Sequence, residues 1–184
     1  SDQLLEQKEH NYIAGLTFYK DKCGAAFLDV STGTFQVAEG SLDYIGTLLS
    51  SFAPKELLVA RGYEKGTRER YGDSFYISTL DEWAFVYDNA VERLKRQLKV
   101  DSLKGFAIDS FPLGVTSAGA LLIYLEHTQH TDLSNICSIS RIDEGTFVWM
   151  DRFTFRNLEI FASTAGKEGT SLVEVMDKCS SPMG

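Results

Sequence analysis

Cysteine is scarce. Cys23, Cys137 and Cys179 are the three in the chain, odd in number, widely spaced and never in a CxxC pair. No disulfide framework or paired-thiolate metal motif can be read from that spacing, and a reduced, cytoplasmic protein is expected. Positive charge is short as well: 18 Lys and Arg stand against 26 Asp and Glu, a net charge of −8. A duplex-binding surface needs clustered cations to displace counterions. The one modest cluster is Arg93, Lys95, Arg96 and Lys99, so the chain is not expected to grip DNA by itself. No apolar run approaches the length of a membrane span, and the first residues lack the basic-then-apolar signal pattern. Membrane attachment is therefore not expected.

What is present is ordinary globular material, 184 residues with 43 % hydrophobic and 24 % charged. That length supports one good core, or one domain plus a fragment of a second. Residues 1–10 are polar apart from Leu4 and Leu5 and read as a linker or strand lead-in. The chain is organised around residues 24–37, where two β-branched and aromatic runs flank Ser31-Thr32-Gly33, a tight-hairpin signature. Phe27, Val30, Phe35 and Val37 lack one clean alternation, so these strands should be covered on both faces. Residues 12–19 read as a third strand.

Helix and strand then alternate. Ser41 suits an N-cap, with Asp43 in the first turn and Leu42, Ile45, Leu48, Leu49 and Phe52 on one face. Pro54 stops that helix. Residues 56–60 and 74–78 read as strands, with a charged connection over 62–72. Thr79-Leu80-Asp81-Glu82 fits a capping box. Leu80, Trp83, Tyr87, Val91, Leu94 and Leu98 follow at spacings of three and four, predicting a helix to about Lys99, although Asp88 or Asn89 could restart it after an irregular aromatic patch. Residues 103–108 form a strand or buried connection, and 117–128 an apolar helix whose Gly119 implies close approach to the sheet. Two extended runs, 139–142 and 147–150, flank Asp143-Glu144-Gly145. After them the pattern is purely helical, with Asp151 as a cap, a break at 166–169 and a capping box at 171–174. The domain boundary is placed at residue 145, giving units 1–145 and 146–184, the second too small to bury its own apolar faces.

Several constellations invite chemistry. Asp29 before Ser-Thr-Gly resembles the phosphate turn of actin-like ATPases, but that site needs a second loop and further carboxylates on Mg²⁺. Two-metal hydrolysis needs converging acids; residues 12–19 contain none, and Asp29 with Asp109 is the only strand-like pair. A bond from Asp29 to its own turn is the plainer expectation. His127 and His130 sit three apart at a helix end with only Glu126 and Asp132 nearby as further ligands, and a solvated helix terminus is the plainer expectation. The loop 165–170 lacks the first glycine and the hydroxyl of a phosphate loop.

Five stretches carry a resemblance: Asn11-Tyr12-Ile13-Ala14 with residues 27–35; Gly105-Phe106-Ala107-Ile108; residues 117–125 with Thr128-Gln129; Met150-Asp151 with residues 155–160; and Ser171-Leu172 with Pro182-Met183-Gly184. In this order they resemble the connector domain and the start of the core, or lever, domain of the MutS family of bacterial DNA mismatch sensors. The resemblance implies an α/β, ribonuclease H-like connector without that enzyme's acids, followed by a truncated all-α lever fragment. It implies no chemistry in this piece: ATP and Mg²⁺, mismatched DNA and homo-oligomer contacts belong to parts of the parent outside it. It also implies that the polar face of the 80–99 helix, through Asn89, Glu92, Arg93 and Arg96, offers a docking surface for MutL. The rival expectation is an orphan metal-dependent hydrolase or nuclease on the same scaffold.

Overall fold

Six strands hydrogen-bond into one mixed sheet, in the order β5-β4-β1-β2-β3-β6. The computed structural model describes residues 11–145, and the chain divides after Arg141 into two units; the sheet belongs to the first. β1 (Ile13–Tyr19), β2 (Lys22–Asp29) and β3 (Thr34–Ser41) form the expected antiparallel meander. Its second turn is built by its own residues. The Asp29 carboxylate accepts from the Ser31 amide at 3.0 Å and the Ser31 hydroxyl at 2.7 Å, while the Gly33 amide donates to the Asp29 carbonyl at 2.8 Å with Gly33 at φ 81°. β4 (Glu56–Ala60) then pairs parallel to β1, and β5 (Tyr76–Leu80) parallel to β4.

Both faces of the sheet are covered, which explains the missing alternation. On one side α1 (Leu42–Phe52) lays Phe52 on Phe27, ring centroids 4.1 Å apart, with Tyr12 edge-on to it at 4.9 Å. Ser41 caps α1 as expected, accepting from the Tyr44 amide. The charged connection holds α2 (Glu64–Tyr71), whose Tyr71 hydroxyl donates to the Leu42 carbonyl. On the other side lie α3 (Tyr87–Leu98) and α4 (Pro112–His127). α4 is buried continuously from Gly114 to Leu125, between the sheet and α3. It fits there because Gly24 lacks a side chain; a Cβ on it would lie 2.2 Å from the Leu113 carbonyl carbon.

Four sequence expectations need correction. The strand expected at 74–78 runs over Tyr76–Leu80, and Thr79 pairs with Val59 instead of capping a helix. Five parallel partners along β4 outweigh one local capping bond, so a 3-10 turn (Glu82–Phe85) intervenes and α3 starts at Tyr87 without a side-chain cap, next to the alternative restart at Asp88 or Asn89. Trp83 and Tyr87 are consequently off the core, 51 % and 40 % exposed. Gly119 approaches α3, not the sheet: a Cβ there would sit 2.4 Å from Ala90. α4 starts at Pro112, where Glu39 of β3 accepts from the Leu113 amide at 2.7 Å and the Gly114 amide at 3.4 Å. That carboxylate satisfies helix-terminal donors with favourable charge.

Residues 103–108 form a connection with a 3-10 turn (Lys104–Phe106), burying Leu103 and Ile108. The 139–142 run contributes β6 (Ser140–Arg141), parallel to β3; its expected companion at 147–150 and the helices beyond lie outside the described residues. Cys23 is a free, buried thiol.

Candidate docking face

α3 is fixed to the domain along one side. Ala90, Leu94 and Leu98 are buried there, with Ala90 against Gly119 of α4. Gln97 donates to the carbonyls of Leu133 and Ile136 at 2.9 Å and 3.0 Å, pinning the connection that follows α4. The opposite side is left to solvent. Asn89, Glu92 and Arg96 are all exposed, and their i, i+3, i+7 spacing puts them in one stripe.

Each is held differently. The Asn89 amide donates to the Trp83 carbonyl at 2.9 Å, tying the stripe to the 3-10 turn before it. Glu92 pairs with Lys95 at 3.2 Å, and Arg96 has no ion pair among the described residues.

Arg93 departs from the other three. It is 7 % exposed, and its guanidinium donates to Glu126 on α4 at 3.0 Å. Burial lowers its pKa from the ordinary value, while Glu126 raises it and Arg96 lowers it further. Arg93 flanks the stripe at i+4 from Asn89, and its long stem is drawn along the neighbouring helix. Its partner is far away in sequence and carries no local signal.

Among the described residues, the remaining sequence candidates do not assemble. The Asp29 carboxylate is buried and also accepts from the Asn11 amide at 3.3 Å. Asp109 is not on a strand but in the exposed connection before α4. His127 and His130 lie exposed at and beyond the end of α4. No group of three or more His, Cys, Asp or Glu is arranged to hold a metal among the described residues. No helix among them is long and apolar enough to cross a membrane. The loop 165–170 lies outside them.

Comparison with known proteins settles the family. Residues 11–137 match MutS domain II, well over half of the chain. The DNA mismatch repair protein MutS of Parabacteroides distasonis is 47 % identical over all 184 residues, and those of Christiangramia forsetii and Flavobacterium psychrophilum are 44 % and 42 % identical over the same length. The chain spans 21 % of the length of each of these relatives. Among solved structures, the K428A mutant nuclease domain of the large terminase subunit gp2 of bacterial virus Sf6 matches with a TM-score of 0.34 and 13 % identity over 75 % of this chain and 67 % of that one, a likeness that bears no argument. The match to domain II and the full-length identity of the aligned stretch together mean that this chain belongs to the MutS family of DNA mismatch repair proteins.

Proposed function

We propose that the chain is a non-catalytic, ribonuclease H-like connector segment of a mismatch-recognition ATPase, that it passes on nucleotide- and mismatch-dependent movements, and that it docks MutL. ATP, Mg²⁺, mismatched DNA and the contacts between MutS copies belong, in this reading, to the remainder of a cytoplasmic parent. Coupling of that kind needs an element with two placements that both ligands bias, and a sheet covered on both faces can change place as one unit.

The observation that carries the docking reading is the bare stripe of Asn89, Glu92 and Arg96 on a helix fastened along its other side. Purified MutL should be retained by the immobilised 184-residue chain and lost by the Glu92→Arg/Arg96→Glu double variant. Equal retention by wild type and variant removes the stripe. The non-catalytic reading draws on Asp29, whose carboxylate is already engaged by Ser31 and Asn11. Calorimetric titration with Mg²⁺ or Mn²⁺ tests it; a stoichiometric site would restore the hydrolase alternative.

A further inference from the structure

Among the described residues, six large apolar or aromatic side chains are exposed: Tyr19, Tyr63, Tyr76, Trp83, Val86 and Tyr87. Two of them have partners inside the domain. Tyr63 stacks on Phe18 at 5.8 Å, and Tyr19 lies under the Lys20 ammonium at 5.4 Å. Trp83, Val86 and Tyr87 fall within five consecutive residues where the 3-10 turn meets α3, and neither ring has a ring partner among the described residues. A half-exposed Trp beside Val and Tyr is the composition of an interface anchor, not of a solvated helix end.

The charge around them is one-sided. Glu82 and Asp88 are exposed and in no ion pair among the described residues, while Asp81 holds Arg61 at 2.7 Å. At the other end of α3 the sign reverses, with exposed Arg96 and Lys99 and with Lys95 on Glu92. The face therefore has an acidic, aromatic end and a basic, polar end.

We infer that Trp83, Val86 and Tyr87 are the apolar anchor of the docking face and receive a basic protein surface, an Arg or Lys set among aliphatic side chains. The cation lies over the Trp83 ring, its aliphatic neighbours cover Val86 and Tyr87, and Glu82 with Asp88 supplies the complementary charge. This rests on the reading that the α3 face receives MutL. The bond from Asn89 to the Trp83 carbonyl joins anchor and stripe.

The test is MutL titrated over the immobilised 184-residue chain at about 50 mM and about 300 mM salt, which alters the screening of exposed charge. Trp83→Ala should weaken capture by about tenfold or more, as an anchor residue does, with Trp83→Phe retaining most of it. Glu82→Lys/Asp88→Lys should weaken capture and flatten its salt dependence. Matching thermal unfolding of the variants shows that the fold is kept, and Val86→Ser repeats the test should Trp83→Ala misfold. Unchanged capture by Trp83→Ala and Val86→Ser, with loss in Glu92→Arg/Arg96→Glu, overturns the anchor and leaves the docking face standing. Failure of the wild-type chain to retain MutL removes the docking reading, and the anchor with it. Should Trp83→Ala abolish self-association, or change the stability of full-length parent without MutL, while capture is unaffected, the occupant is a second copy or the parent's own domains and the proposal fails.

Discussion

Arg93 and Glu126 join the middle of α3 to the last turn of α4 through one 3.0 Å bond, with the arginine buried and the carboxylate side chain 48 % exposed. The two ends of this pair are not equivalent. Truncating Glu126 to Ala strands a buried guanidinium, which costs about 2–3 kcal/mol. Truncating Arg93 to Ala leaves a carboxylate that water can reach, so its cost of about 1–2 kcal/mol comes mainly from lost stem packing. Urea unfolding of the two variants should show Glu126→Ala as the less stable.

Two glycines in helices should respond oppositely to alanine. At Gly66 in α2 a Cβ meets nothing within 4 Å, so Gly66→Ala should stabilise by about 0.5–1 kcal/mol through propensity and unfolded-state entropy. At Gly119 the same gain is offset by a Cβ placed 2.4 Å from Ala90, an overpacking that costs about 1–3 kcal/mol or more. Thermal unfolding should move up for the first and down for the second.

Burial pushes the Cys23 thiol up to about 12, opposed by a hydrogen bond from Thr17 and helped slightly by Glu39. Below the ordinary thiol value of 9.0 both folded and unfolded chains are protonated there. Above it the unfolded chain loses the proton first, so stability falls as pH rises from about 9 toward 12. Cys23→Ala should show a shallower loss between about pH 9 and pH 10 in denaturant titrations. In the native state Cys23 should resist alkylation, being a buried, protonated thiol.

Removing the Asp29 carboxylate should act on stability alone. Asp29→Ala leaves the Ser31 amide and hydroxyl without their acceptor, at a cost of about 1–3 kcal/mol. Added Mg²⁺ should raise the melting temperature of neither form; a rise in wild type that Asp29→Ala abolishes would contradict the structural role.

The legible parts of the fold were those whose cause is local. Ser41 announces α1, Ser31-Thr32-Gly33 announces the meander's second turn, and the uneven pattern of residues 27–37 announces a doubly covered sheet. What escaped depends on partners far along the chain. β4 takes Thr79 and Leu80 away from the helix their own neighbours favour, and that shift turns Trp83 and Tyr87 outward. Glu39 caps a helix whose amides are at Leu113 and Gly114, and Glu126 claims Arg93. The polar stripe was readable because i, i+3, i+7 spacing is local; the aromatic anchor beside it was not.

The near-contacts at Gly24 and Gly119 leave no slack between sheet, α4 and α3. Side chains at such seams would act as springs, absorbing a push by changing rotamer; backbone set against backbone has no such give. A Cβ added at either seam therefore finds no rotamer to push aside and has to displace main chain.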